Sequence, residues 1–457
     1  MYRRLKRASV FAAVAALAAL APALSNAAVV PFVAVAGLLF FGVREGEWFD
    51  TLALPGDREE ERLLGIGAFA VSLAGLAAVA TFPRVPLPTG AFAAAALSVG
   101  GGRFGRALVH ARTDDEFPLV TGYLVGGGVA AVIGQVVAAV AGGAGVDGAP
   151  IGAAAESLLA AIPGFAFLGA VTVLTAALVR SLVYARDAHI TVVLAAIVAW
   201  GFTALDPTVS AIGIVVALGV TVGLGYVSYA LGTASVPGML TGVLFSLLTV
   251  VLGGVGWFLT LMAFYAVGGL ASKYRFDEKV DRGVAQENEG ARGTGNVLAN
   301  SAVALVALVG YAATGHVDAP ETVFRLAFAG AIATAMADTL SSEIGGLFDR
   351  PRLITTLQPV GPGTDGAVTW QGEVAGLAGA SLIAGIAIVE VPLGDPVVAG
   401  APLVGAGVIL LAGISGMTVD SLLGALIEGN LIGNQAVNFL ATLSGAVVAI
   451  GAGYLVG

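Results

Sequence analysis

Apolar runs of about 20 residues recur along almost the whole chain, and they limit its fold more than any other feature. A run of about 17–25 mostly apolar residues is what an α-helix needs to cross a bilayer. The composition agrees, since 58% of the 457 residues are hydrophobic and only 11% are charged. A soluble domain has roughly 25% charged residues. We therefore expect an all-α, polytopic transmembrane helical bundle of about 13–15 spanning helices.

The positive charges indicate how this bundle is oriented. Lys and Arg gather on the cytoplasmic side of membrane proteins. With the N-terminus inside, all of them except Arg84 and Arg325 fall in the N-terminus, in cytoplasmic loops or at the adjoining helix ends. The sequence therefore predicts a multi-pass protein of the cell membrane with a cytoplasmic N-terminus.

The remaining composition excludes several classes of site. The chain has no cysteine, so disulfides and thiol nucleophiles are excluded, and its three histidines are scattered. A net charge of −9 without a basic tract does not suit nucleic-acid binding. Low lysine with this negative charge is typical of a salt-adapted organism.

Polar residues divide the chain into two parts. Residues 1–190 hold few intramembrane polar groups, and residues 195–457 hold all the polar-rich loops. In the first part, Gly100–Arg106 followed by Phe117–Tyr123 loosely mirrors residues 337–372 without their carboxylates. One interpretation is a degenerate internal copy, and the other is chance matching in Gly-rich apolar sequence.

Asp338 and Glu343 lie inside a long apolar run, where a carboxylate is costly unless it is paired or serves a site. At helical spacing Asp338 shares a face with Ser341 or Ser342 and with Gly345. Glu343 is rotated away and needs its own partner. Asp338 can hold Mg²⁺, which prefers oxygen ligands. The alternative is a structural Asp paired with a basic residue.

Two further polar stretches flank this run. Residues 283–300 are Gly-rich and lead into a helix on which Asn296 and Asn300 share a face, which suits a phosphate cradle. The alternative is a flexible loop capped by Thr294. Residues 350–372 form a loop rich in Pro and Gly whose arginines either neutralise phosphates or simply follow the positive-inside rule.

Asp420, Gly424 and Glu428 lie on one face of a later helix. If this turn packs against Asp338, the carboxylates can hold one or two metal ions, as in phosphoryl transfer. Such a shared site requires the two Asp residues to lie within about 12 Å of each other, because paired ions are only ~4 Å apart. The alternative is a helix end that reaches water.

These stretches together resemble a widespread integral membrane family of archaea and bacteria that includes the plant plastid phytyl-phosphate kinase. The motifs are residues 337–345, 353–357 with 360–369, 290–300, and 420–425. More remotely, they are similar to polyprenol (dolichol) kinases and CDP-lipid synthases. Those families place Lys before a Thr where this chain has Thr355, so the cation is expected from Arg350, Arg352 or Arg292.

The resemblance implies a kinase that converts an isoprenoid monophosphate to its diphosphate at the cytoplasmic membrane face, with CTP as donor and Mg²⁺ as cofactor. In an archaeon the expected lipid is geranylgeranyl phosphate. The alternatives are a CDP-lipid cytidylyltransferase and a transporter or flippase of an anionic lipid. The oligomeric state, a homodimer included, is left open.

The expected site has three groups of residues. The candidate catalytic residues are Asp338, Glu343, Asp365 and Asp420, of which Asp338 and Asp420 are the expected metal ligands. The expected nucleotide- and phosphate-binding residues are Arg292, Asn296, Asn300, Ser342, Arg350, Arg352, Thr355 and Thr356.

Overall fold

The computed structural model describes residues 2–143, 151–183, 187–285, 293–391, 402–429 and 431–456. Helices dominate these residues, and the regular strands are one short antiparallel pair, β1 (Arg352–Leu353) and β2 (Ala367–Val368). In chain order the helices are α1 (Tyr2–Ala16), α2 (Ala21–Leu24), α3 (Val29–Gly37), α4 (Gly46–Leu52), α5 (Pro55–Glu59), α6 (Leu64–Ala80), α7 (Thr89–Val109), α8 (Glu116–Ala141), α9 (Ile151–Leu182), α10 (Ala188–Leu205), α11 (Ala211–Ala230), α12 (Val236–Leu248), α13 (Val255–Lys273), α14 (Phe276–Asp281), α15 (Thr294–Ala312), α16 (Glu321–Gly345), α17 (Trp370–Glu390), α18 (Pro402–Ile427) and α19 (Asn434–Val456).

Within the described residues, 12 helical segments are long and apolar enough to cross a membrane. The all-α polytopic class is thus confirmed. The count is lower than expected because Tyr2–Gly42 forms one segment, α6 is a shorter apolar helix, and α7 is not among the twelve. The cytoplasmic N-terminus remains a prediction from the charges.

The chain forms two compact units, Met1–Val216 and Ala217–Gly457. In the N-terminal unit, α7 is buried continuously from Ala91 to Gly102 and packs against α1, α8, α9 and α10. This stretch consists mainly of Ala and Gly, and such small residues let neighbouring backbones approach closely in a membrane.

In the C-terminal unit, α16 is the central helix. Every residue from Leu326 to Ala337 is buried, and α13, α15, α17, α18 and α19 surround it. A helix that is apolar on all sides is buried on all sides. Glycine at the contact lets α17 pack closely against α16. A Cβ at Gly376 of α17 would lie only 2.9 Å from the carbonyl oxygen of Ala337, which is too close for a larger residue.

The helices around α16 alternate in direction, so the ends of some helices and the starts of others lie together at one edge of the unit. There α16 and α18 end, while α15, α17 and α19 begin. Thr369 caps α17 by accepting a hydrogen bond from the Gly372 amide at 3.2 Å. The polar residues that α16 acquires after Ala337 therefore lie among helix termini.

Candidate functional site

A cavity of about 1020 Å³ opens at this gathered edge of the C-terminal unit. Its wall combines the starts of α15 and α19, the ends of α16 and α18, and the loop between α16 and α17. Of the predicted site residues, those on the cavity wall are Asn296, Asp338, Ser342, Asp365 and Asp420. Tertiary packing thus brings together four stretches that are far apart in sequence.

Asp338 and Asp420 form an acidic pair in the cavity. Their side chains are close enough for a hydrogen bond and for direct repulsion between their charges. The Oδ1 atom of Asp420 is buried and has no hydrogen-bond partner in the structure. The proximity that a shared metal site requires is therefore met.

Asp365 and Glu428 form a second acidic pair on the same wall. Glu428 follows the end of α18, and burial together with the charge of Asp365 raises its pKa, against the opposing effect of a hydrogen bond with Asn434. A group whose neutral form is favoured in this way is poised to release a proton when a cation binds.

A tight turn places Asp365 in the cavity. Gly366 has a positive φ of 71°, and its amide lies against Gly424 of α18. Only glycine fits this contact, because a Cβ at Gly366 would overlap the carbonyl oxygen of Ser421. The same turn is tied to the ribbon by the Ile354 amide, which donates to the Gly366 carbonyl at 3.1 Å.

Two helix starts contribute backbone to the cavity. Gly293 and Gly295 line it where α15 begins, and Asn434 and Gln435 line it where α19 begins. The first amides of a helix lack intrahelical acceptors and carry the positive end of the helix dipole, so they favour phosphate. Residue Gly293 takes the N-cap position of α15, which corrects the alternative in which Thr294 caps it.

Glu343 faces away from the cavity, as its helical spacing indicates. It accepts hydrogen bonds from Lys279 Nζ at 2.5 Å and from Ser272 Oγ at 2.9 Å. Lys279 also donates to the Ala271 carbonyl at 2.6 Å. The pair is buried, so it anchors the end of α16 to α13 and α14 rather than facing the cavity.

Five other predicted residues also lie away from the cavity wall. Asn300 is buried and donates to the Asn296 carbonyl within α15 at 2.9 Å. Arg352 is exposed, and its Nη1 donates a hydrogen bond to the Leu357 carbonyl at 2.7 Å, within the same loop. Arg350, Thr355 and Thr356 are exposed in the same loop.

Arg292 lies outside the described residues. Among the cavity-lining residues that are described, none is Lys, Arg or His. Arg350 and Arg352 do not line the cavity, and their role in phosphate neutralisation stays a prediction. The cavity instead offers carboxylates and helix amides.

This donor set fits Mg²⁺. In the described part of the chain, no group of three or more His, Cys, Asp or Glu residues could hold a metal ion. Mg²⁺ does not require such a cage, because it is commonly held by one or two carboxylates together with water and substrate phosphates. Asp338 and Asp420, with the unpartnered Oδ1 of Asp420, supply that minimum.

The expected site residues do not include Glu428 and Asn434, and no sequence pattern indicates that Lys279 is the partner of Glu343. The eight-residue spacing from Asp420 to Glu428 was a usable signal for Glu428, since it repeats a helix face. No spacing rule links Lys279 to Glu343, which are 64 residues apart.

The helical bundle with its polar, acidic cavity defines a polytopic integral membrane protein. Residues 219–446 match the family model described as integral membrane protein DUF92. The chain belongs to this family.

Individual relatives align with less than half of this chain. An uncharacterized membrane protein of Methanocaldococcus jannaschii is 34% identical over 209 residues, which is 43% of this chain and 76% of that protein. A similar protein of Synechocystis is 30% identical over 207 residues, or 44% and 76% of the two chains. Protein VTE6, chloroplastic, of Arabidopsis thaliana is 30% identical over 203 residues, covering 43% of this chain and 58% of that protein. No solved structure matches the chain significantly.

Proposed function

We propose that the chain is a membrane-embedded kinase that phosphorylates an isoprenoid monophosphate to its diphosphate, with CTP as donor and Mg²⁺ as cofactor. The observation that carries the proposal is the adjacent carboxylate pair Asp338 and Asp420 in a cavity large enough for a nucleotide. The motifs that resemble the family of the plant plastid phytyl-phosphate kinase support this reaction class, and the similarity to Protein VTE6, chloroplastic, is consistent with it.

The arrangement suits phosphoryl transfer because that reaction depends on positioning and charge stabilisation rather than on a covalent nucleophile. Asp338 and Asp420 would hold Mg²⁺, which supplies positive charge to the phosphate oxygens when it is bound. The starts of α15 and α19 would donate amides to a phosphate. Four carboxylates in one cavity repel a phosphate anion by themselves, so the site is expected to bind nucleotide only together with the cation.

The location of the cavity supports a lipid acceptor. It opens among helix ends, where a phosphate headgroup at the membrane surface can meet a water-soluble nucleotide. A transporter would need polar groups through both leaflets, yet α16 is entirely apolar over its buried stretch from Leu326 to Ala337 except for Thr334.

The test is a product assay with the full-length protein in nanodiscs. Geranylgeranyl or phytyl phosphate is supplied with Mg²⁺ and each nucleoside triphosphate in turn. Diphosphate and CDP are the expected products, whereas pyrophosphate with a CDP-lipid would identify a cytidylyltransferase. The variant Asp338→Asn is expected to lose at least about 100-fold of the rate, as for other groups that stabilise transition-state charge.

The matched control is Glu321→Gln, which removes a carboxylate from the opposite end of the same helix. Its rate is expected to stay at the wild-type value. Absence of diphosphate with every nucleotide, or equal rates for Asp338→Asn and wild type, would overturn the proposal.

A further inference from the structure

A second cavity, of about 250 Å³, lies in the C-terminal unit between α11, α12, α13 and α15. We call it the apolar groove. Its wall is mostly apolar, with Leu224, Leu231, Met239, Met262, Leu270 and Val297 among its lining residues, and it also includes three Ser or Thr side chains and Tyr265. Within a bilayer, such a groove is a place for a hydrocarbon chain rather than for a polar ligand.

The apolar groove lies toward the same edge of the unit as the acidic cavity. Its residues from α13, Met262 to Leu270, run from near the middle of the helix toward its end at Lys273. Those from α12 begin at Gly238, in the first turn. Since α12 and α15 begin where α11 and α13 end, all four helices contribute residues close to this edge.

The two cavities share α15 as a wall. Asn296 lines the acidic cavity, and the next residue, Val297, lines the apolar groove. Successive residues of a helix point about 100° apart, so one turn of α15 faces both spaces. The separation is therefore on the scale of one helix diameter, about 10 Å.

We infer that the apolar groove holds the isoprenoid chain of a lipid monophosphate whose phosphate reaches the acidic cavity past the start of α15. This inference rests on the proposed function and names where its substrate binds. A prenyl phosphate joins one chain directly to its phosphate, which matches one narrow groove beside one polar cavity. A phospholipid instead carries two chains on a glycerol.

The side chains of the groove suit a branched hydrocarbon. Two of the five methionines of the protein, Met239 and Met262, line it. Methionine has a flexible, polarizable side chain that adapts to irregular apolar shapes, such as the methyl branches of an isoprenoid.

The perturbation that tests the inference is Gly242→Leu. Gly242 lines the apolar groove, and a Cβ there would meet the Tyr265 ring at 3.6 Å, an ordinary contact. A leucine therefore fits the backbone and fills the groove. The matched control is Gly223→Leu on α11, where a Cβ meets nothing within 4 Å and the residue is exposed.

The assay is photolabelling of the full-length protein in phosphatidylcholine nanodiscs, without nucleotide. The probe is a C20 prenyl monophosphate that carries a diazirine on its last isoprene unit, and adducts are mapped by mass spectrometry. We expect adducts on α12 and α13 around Met239 and Met262. Labelling should be about tenfold weaker in Gly242→Leu, the change for about two methylene groups forced out of an apolar site, and unchanged in Gly223→Leu.

Geranylgeranyl phosphate should compete with the probe, whereas an equal mole fraction of phosphatidic acid should not. Equal competition by phosphatidic acid would mean that the groove holds bilayer lipid and would overturn the inference. So would labelling spread over lipid-facing surfaces, or labelling that Gly242→Leu does not weaken. Gly269→Leu, whose Cβ would meet the Thr233 side chain at 3.6 Å on the same wall, repeats the test if Gly242→Leu does not fold.

The photolabelling assay and the product assay can fail independently, so their results test the chain site and the kinase activity separately. Labelling of the groove without diphosphate formation would refute the kinase while leaving the chain site in place. Diphosphate formation without labelling of the groove would refute the chain site while leaving the kinase in place.

Discussion

Removing one partner of the buried Lys279–Glu343 pair is expected to destabilise the C-terminal unit strongly. The side chains of Lys279 and Glu343 are only 1% and 3% exposed. In Glu343→Gln, the ammonium of Lys279 keeps its hydrogen bond to the Ala271 carbonyl but loses its counter-charge. An uncompensated buried charge of this kind costs about 3–5 kcal/mol of the free energy of unfolding.

Replacing both partners gives a sharper test than either single change. The double variant Lys279→Met, Glu343→Gln leaves no buried charge, so its cost should be no larger than that of either single variant. The two changes are then non-additive, as expected for residues in direct contact. A simple sum of two independent losses would contradict the structure.

The free energy of unfolding can be measured by SDS titration of the detergent-solubilised protein, followed by tryptophan fluorescence. Trp257 of α13 is buried 4.5 Å from the Phe328 ring of α16, measured between ring centroids, so it reports separation of these helices. The control is Glu321→Gln, which removes the half-exposed Glu321 carboxylate from its ion pair with Arg325 on α16 and should cost less than about 1 kcal/mol. An equally small cost for Glu343→Gln would refute the reasoning.

The remaining predictions concern the acidic cavity. Asp420→Asn should weaken Mg²⁺ binding at least about 100-fold by calorimetry, since even outer-shell changes cost 10–100-fold, whereas Asp349→Asn, outside the cavity wall, should not. Because the pKa of Glu428 is raised, the metal-free protein should lose stability as the pH rises from the ordinary glutamate value through the raised one. In Glu428→Gln this loss should be smaller in the pH dependence of the melting temperature, because the contribution of Glu428 is removed. Gly366→Ala should lower the melting temperature more than Gly363→Ala does. Both glycines have a positive φ, but a Cβ at Gly366 would overlap α18, whereas a Cβ at Gly363 would lie 3.5 Å from its nearest neighbour. Equal costs for the two variants would contradict the docking of the turn.

Local spacing was enough to predict how the end of α16 is used. The helical period separates Asp338, Ser341 and Gly345 from Glu343, and the structure places the first three on the cavity wall and the fourth in a buried ion pair. The period works here because α16 is regular through Gly345, so each residue keeps its 100° step.

Spacing does not place the side chains of the loop after α16. The density of Arg and Thr between Arg350 and Thr356 predicts phosphate contacts, and it does not show that the loop folds back on itself through the Arg352–Val368 and Leu353–Ala367 pairs of the ribbon. A loop without periodicity gives no rule for which side chains face inward. The turn at Asp365 faces the cavity because Gly366 docks on α18, a contact that no local pattern encodes.

The sequence by itself determined that this is a helical membrane protein, because the length and apolarity of a spanning segment are local properties that the bilayer imposes. It also indicated which carboxylates lie in apolar runs, where an ionised group must be paired or serve a site. Only the tertiary structure decided which of them share a site. Asp338 and Asp420 meet across 82 positions of sequence because α16 and α18 end at the same edge of one bundle, and such long-range packing leaves no periodic trace in the chain.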